Sequence, residues 1–269
     1  MKKKLDHLSE EDFAVLRGPL ESGRQSPNSL AGTLLLAPFL LIVILGLANA
    51  FVFTDRLELP HTVVVVICLI CDLLGLIIII LSIIFSFKKI YQKRQRAQYL
   101  LSVVVVQTII GFLYLVMLYY LFDDVQFHHT YKVSTTSMAL FSIGTFLIGI
   151  FLFIVAFIRF LRLLKQGQFR KNTKRDQLRG KLEKQMKQYT IYGAVSVSSV
   201  FLTGIKVMNV DFEVMIAVSI GVSLFYIMMF ILPEQLVIWY CKGRFKSFNF
   251  DENNILYAMS TENKQESIN

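Results

Sequence analysis

The sequence predicts an all-α, polytopic membrane protein with six transmembrane helices and both termini in the cytoplasm. Of its 269 residues, 55% are hydrophobic, and its mean hydropathy is +0.56. Soluble domains contain about 45–50% apolar residues and lack repeated apolar runs of this kind. An α-helix needs about 20 predominantly apolar residues to cross a bilayer core. Six runs of about that length follow one another along this chain.

Short polar stretches or basic loops separate the predicted spans. The spans are Ala31–Phe53, Thr62–Phe87, Tyr99–Phe122, Ser137–Phe160, Tyr189–Met208 and Val214–Leu232. We therefore divide the chain into an N-terminal segment (1–29), a transmembrane domain (30–241) and a polar C-terminal tail (242–269). Two strongly basic loops, 88–98 and 161–188, interrupt the transmembrane domain.

The N-terminal segment has the pattern of a short amphipathic helix. Ser9 is a good cap, and the acids that follow it at 10–12 suit the positive end of a helix dipole. Apolar residues then recur at roughly helical spacing: Leu5, Leu8, Phe13, Leu16 and Leu20. We expect this helix to lie on the membrane surface or on the protein's own loops. A helix that binds a partner is the alternative.

The distribution of basic residues predicts the orientation of the chain. Lys and Arg total 28, and all except Arg56, Lys132 and Lys206 fall in the two tails, in 88–98 or in 159–188. Because Lys and Arg concentrate in cytoplasmic loops, we expect both termini in the cytoplasm of a bacterial cell, with the chain in its plasma membrane. The basic loops are then suited to anionic lipid.

Asp72 is the sharpest candidate for a functional site. It is the single charge in the second span, about 15 Å below the outer end of that helix. A carboxylate at this depth has to be protonated, paired or exposed to water. Gln107 in the third span and Lys206 in the fifth are the candidate partners. A hydrogen bond that only packs helices together, and a Lys206 that reaches outward, are the alternatives.

Two further features concern the shape of the bundle. Pro233 and Glu234 interrupt the last span and mark a candidate gating point or kink, or else the end of the span. Small residues at four-residue spacing predict that the fifth and sixth spans pack closely as an antiparallel hairpin. These small residues are Ala194, Ser198, Ser199, Thr203, Ala217 and Gly221.

The sequence offers little for metal binding or catalysis. Asp123, Asp124, His128 and His129 are weak metal candidates without a conventional ligand spacing, so we expect a solvated loop and no metal. None of the four histidines lies inside a predicted span, and the chain has no Gly-rich phosphate loop. We therefore expect neither an enzyme nor a cofactor.

Three classes of function remain open from the sequence. The first is a permease-like component of a transport system, served by a separate ATPase. The second is an immunity protein against a membrane-active toxin or peptide, and the third is an assembly or regulatory subunit of a membrane complex. Each class allows a protein partner in the membrane or the cytoplasm, whereas a basic segment held at the membrane is a poor candidate for binding nucleic acid.

Overall fold

Long apolar helices make up most of the fold. The computed structural model describes Leu5, residues 7–52, 61–128, 135–173, Gln177 and residues 212–259. Within that part of the chain we number five long helices, α1 (Pro27–Val52), α2 (His61–Ser86), α3 (Gln95–His128), α4 (Thr135–Lys165) and α5 (Phe212–Arg244). The all-α prediction is confirmed for these residues. The fifth predicted span lies outside them, so the count of six spans and the orientation stay predictions.

Several helices continue beyond the apolar runs that predict them. α4 extends past Phe160 to Lys165, and α5 extends past Leu232 to Arg244. Basic residues occupy the last turn of both helices, where they suit the negative end of the helix dipole. Pro233 lies inside α5. A membrane helix tolerates such a proline, because neighbouring groups can replace the one backbone hydrogen bond that it removes.

The helices pack in an order that leaves two of them at the margin. α1 contacts α2 and α3, α3 contacts α5, and α5 contacts α4. The apolar stretch of α1 is 39% buried, against 11% for α2 and 17% for α4. The outer faces of α2 and α4 are therefore covered with exposed apolar side chains in the described structure, such as Leu69 and Phe151. Lipid chains solvate such faces without cost.

The largest buried cluster lies at one end of the bundle, where α1 and α3 begin and α2, α4 and α5 end. We call it the basic end, because exposed Lys and Arg residues surround it. The cluster joins the N-terminal segment, the helices α1, α3, α4 and α5, and the C-terminal tail. Its members include Leu5, Leu8, Phe13, Leu16, Leu20, Tyr99, Phe160, Leu164, Phe169, Ile238, Cys241, Phe248 and Phe250.

The N-terminal segment docks on the end of α4. A 3-10 helix runs from Glu10 to Arg17, and Val15 N–H donates to the Phe169 carbonyl at 2.9 Å. Gly167 turns the chain at that point with φ +70°, a conformation that favours glycine after a helix. The segment thus lies on the protein's own chain, which is one of the two positions expected for it.

Asp12 forms the main polar contact of this docked segment. Its carboxylate is buried, and it accepts hydrogen bonds from Arg170 Nε at 2.7 Å and from Ser9 N–H at 2.8 Å. Burial would raise the pKa of Asp12, but the hydrogen bonds from Arg170 and Ser9 outweigh it and hold the pKa below its ordinary value. Asp12 is therefore ionised at neutral pH and ties the two segments together.

The C-terminal tail is held to the start of α3 by side-chain amides. Gln95 Nε2 donates to the Phe250 carbonyl at 2.6 Å, and Phe250 N–H donates back to Gln95 Oε1 at 2.9 Å. Arg17 Nη2 donates to the Tyr257 carbonyl at 3.0 Å. The described parts of the N-terminal segment and of the C-terminal tail therefore belong to the folded basic end.

Candidate functional site: a paired carboxylate between two apolar helices

The structure pairs Asp72 of α2 with Asn49 of α1. Asn49 Nδ2 donates to both carboxylate oxygens of Asp72, at 3.0 Å and 3.1 Å. The two residues lie on helices with the length and hydropathy of membrane spans. Asp72 is half-buried, so one side of the pair faces the helix contact and the other faces outward.

Gly75 allows α1 and α2 to approach closely beside this pair. It lies one turn after Asp72, and its neighbour across the contact is Leu45, one turn before Asn49. A Cβ at position 75 would overlap the end of the Leu45 side chain. Small residues let membrane helices approach in this way, and here the close approach brings the amide within reach of the carboxylate.

Within the part of the chain that the structure describes, no positive charge pairs with the Asp72 carboxyl. The ion pairs between described residues are Arg17–Glu21 and Asp12–Arg170, and neither involves Asp72. An amide is neutral, so it can satisfy lone pairs of the carboxylate but cannot cancel its charge. An ionised carboxyl in an apolar medium is costly.

The structure pairs Asp72 with a residue other than Gln107, which was one of its two expected partners. The amide of Gln107 donates instead to the Met228 carbonyl of α5, at 3.4 Å, which is a long and weak hydrogen bond. Lys206 lies outside the described residues. Sequence reasoning missed Asn49, although an amide inside the apolar first span, one short loop away from the second, was a usable signal.

A second polar contact lies between α3, α4 and α5. The Tyr114 hydroxyl hydrogen-bonds to Thr145 Oγ1, and Tyr226 Oη donates to the Thr145 carbonyl at 3.2 Å. Tyr114 stacks on Phe225 with ring centroids 4.5 Å apart. A Cβ at Gly149 would overlap the Phe225 ring, so this glycine makes room for it. Nothing in the sequence pattern singled out this aromatic cluster.

Some of the small residues expected to pack helices can be placed. A Cβ at Gly221 of α5 would lie 3.0 Å from Met117 Cγ, so this glycine marks a close contact with α3. The backbone of Ala217 belongs to α5, but its side chain is not described. Ala194, Ser198, Ser199 and Thr203 lie outside the described residues, and so does the hairpin between the fifth and sixth spans.

The gating candidates lie within a continuous helix. Pro233 is buried and Glu234 is half-buried, and α5 continues for several turns beyond them. Of the weak metal candidates, Asp123, Asp124 and His128 lie in α3 with side chains that are not described, and His129 lies outside the described residues. Where the structure describes side chains, no group of three or more His, Cys, Asp or Glu residues could hold a metal ion.

By length and composition of its helices, the fold belongs to the class of multi-pass integral membrane proteins. No family model, no curated protein and no solved structure matches the chain. Any more specific function therefore has to be argued from the paired carboxylate and its surroundings.

Proposed function

We propose that this protein is a non-enzymatic, membrane-embedded component of a transport system, and that a proton or another cation binds at Asp72. The observation that carries the proposal is the hydrogen bond between Asn49 and Asp72 inside two apolar helices. A site made only for packing could use two neutral groups and would avoid the cost of a carboxylate. Intramembrane carboxylates mark proton and ion pathways in pumps and transporters.

The geometry of the pair supports exchange rather than permanent occupation. One amide nitrogen serves both oxygens of Asp72, so lone pairs remain for an incoming cation. The half-buried side chain lies at a margin of the described bundle, since α2 is its least buried span. A cation can therefore reach the carboxylate while Asn49 keeps it in position.

The proposal is tested by cation uptake into liposomes that contain the purified protein. A potassium diffusion potential drives uptake, and dyes inside the liposomes report protons or sodium. We expect uptake above that of protein-free liposomes, loss of it in Asp72→Asn, and partial retention in Asp72→Glu. Gln107→Leu is the matched control, because it removes another polar group that lies in a span and bonds elsewhere.

Two outcomes would contradict the proposal. One is wild-type uptake equal to that of protein-free liposomes for both cations. The other is Asp72→Asn uptake at the wild-type rate, because asparagine keeps the hydrogen bond but cannot exchange a proton or balance a cation.

We also propose that the basic end faces the cytoplasm of a bacterial cell. The support is the concentration of Lys and Arg in the tails and in the two basic loops. A membrane-impermeant thiol reagent should label Gln126→Cys in intact cells and leave Gln166→Cys unlabelled until the cells are opened. The reverse pattern would invert the orientation.

A further inference from the structure

An arginine at the basic end lies over an aromatic ring. Arg96, in the first turn of α3, has its Cζ 4.4 Å from the ring centroid of Trp239 near the end of α5. The arginine is exposed and the tryptophan is half-buried. A guanidinium over an indole ring is attracted by the ring quadrupole, so this contact holds the Arg96 side chain in place. We call the surface of α5 that Arg96 contacts the seat.

Gly243 completes this seat. It follows Trp239 by one helical turn and therefore lies on the same face of α5. A Cβ at position 243 would lie 2.6 Å from both Cζ and Nη1 of Arg96, closer than such atoms can approach. The guanidinium thus spans one turn of α5, from the ring of Trp239 to the bare backbone of Gly243, and any side chain there would displace it.

The seated arginine has its charge available. Arg96 takes part in neither of the ion pairs between described residues. A guanidinium has five N–H donors in a planar fork, so one that lies over a ring keeps donors for a phosphate, which it can bind with two hydrogen bonds. Other exposed basic residues, Lys89, Lys93 and Arg94, lie just before it in the chain and add to the local positive charge.

The position of the seat favours a phosphate that belongs to a lipid. Tryptophan rings are enriched at headgroup level, where an apolar body and a polar N–H are both satisfied. Of the exposed apolar side chains towards the middle of α5, Ile231 lies about 80° around the helix from Trp239 and is nearest to its face. A lipid whose phosphate meets Arg96 at headgroup level therefore places its chains against the apolar part of α5.

We propose that Arg96, seated on Trp239 and Gly243, binds the phosphate of an anionic phospholipid. The site is separate from the Asp72–Asn49 pair, and it does not depend on the transport proposal. Its consequence is that lipid composition affects how α3 and α5 are held together at the basic end.

Trp239 is the single tryptophan of the chain, so its fluorescence reports on this site alone. Bromine atoms on a lipid quench tryptophan on contact. The full-length protein is therefore reconstituted in phosphatidylcholine bilayers that contain brominated phosphatidylglycerol, or brominated phosphatidylcholine for comparison. We expect phosphatidylglycerol to be preferred about fivefold, the factor that one basic residue contributes near an anionic surface.

Two substitutions distinguish binding by the positioned Arg96 from a general attraction between positive charge and anionic lipid. Arg96→Gln should remove the preference for phosphatidylglycerol. Gly243→Ala keeps every charge but displaces the guanidinium, so it should lower the preference as well. Arg162→Gln removes one exposed positive charge from another helix and should leave the preference near the wild-type value. Gly46→Ala is the matched glycine control, since a Cβ there meets nothing within 4 Å.

Each outcome bears on the proposal. Equal quenching by the two brominated lipids in the wild type would overturn it, and so would an unchanged preference in both Arg96→Gln and Gly243→Ala. Loss of the preference on adding millimolar inorganic phosphate would assign the site to a soluble anion and overturn the lipid proposal. If Arg96→Gln does not fold, judged by circular dichroism and gel filtration, Gly243→Ala decides the matter.

Discussion

The basic end of the bundle and its distal half are held together by different kinds of contact. At the basic end, apolar side chains from the N-terminal segment, the helices and the tail form one continuous buried cluster. In the distal half, which contains Asn49, Asp72, Tyr114, Thr145 and Phe225, the buried apolar cluster is smaller. There the helices meet through polar pairs and close approaches at glycine.

The solvent explains this difference. At the basic end the alternative to burial is water, so each buried apolar side chain contributes the full hydrophobic effect. Between membrane helices the alternative is lipid, which is as apolar as leucine, so association depends on close packing and hydrogen bonds. Apolar burial at the basic end therefore stabilises the fold most, whereas the distal half contains the polar contacts between helices.

The largest expected effect comes from truncating the buried cluster. Phe13 is fully buried, and its ring centroid lies 5.6 Å from that of Phe245. Phe13→Ala should cost about 3–5 kcal/mol of unfolding free energy, which lowers the melting temperature by on the order of 10 °C. Phe39→Ala is the control, because Phe39 is 68% exposed on α1. Equal melting temperatures for both variants in detergent would show that the docked segment adds no stability.

A smaller effect is expected in the distal half, from a methyl group added at a helix contact. Gly149→Ala pushes against the Phe225 ring and should cost about 1–3 kcal/mol, as overpacking does. Gly144→Ala lies on the same helix, its Cβ meets nothing within 4 Å, and it should be neutral or mildly stabilising. Thermal unfolding of the two variants makes the comparison, and a more stable Gly149→Ala protein would rule out the tight contact.

The smallest effect concerns Asp12. Because its pKa is lowered in the folded protein, the stabilisation is present above the ordinary value of 3.8 and is lost as the pH falls through the folded pKa. Arg170 is 58% exposed, so the pair contributes about 1 kcal/mol or less. Asp12→Asn should therefore melt slightly below the wild type at pH 7, and the two melting temperatures should converge as the pH falls through the folded pKa of Asp12. A difference that stays constant as the pH is lowered would show that the ion pair contributes no stability.

The sequence predicts the helices of this protein better than their contacts. The apolar runs that predict α1 and α2 match the helices within a few residues. Hydropathy reports whether a segment can enter a bilayer, and that property depends on composition alone. It does not report which face of the helix meets its neighbour, because the faces towards lipid and towards protein are both apolar.

The candidate site also has one part that the sequence predicts and another that depends on how the helices pack. Asp72 stands out in the sequence because a charge in an apolar run is rare and costly. Its partner depends on the rotation and depth of α1 relative to α2, which Gly75 and Leu45 set by shape. The same reason explains why Tyr114, Thr145 and Phe225 were not anticipated as a cluster.

The central claim is that Asp72 serves function rather than packing, and Asp72→Asn tests it most directly. Asparagine at position 72 can still hydrogen-bond to Asn49. The free energy of unfolding of the variant should therefore differ from that of the wild type by no more than one interhelical hydrogen bond, about 0.6 kcal/mol. Cation uptake by the same preparation should fall to that of protein-free liposomes. A protein that keeps wild-type uptake, whether or not its stability changes, would contradict the claim.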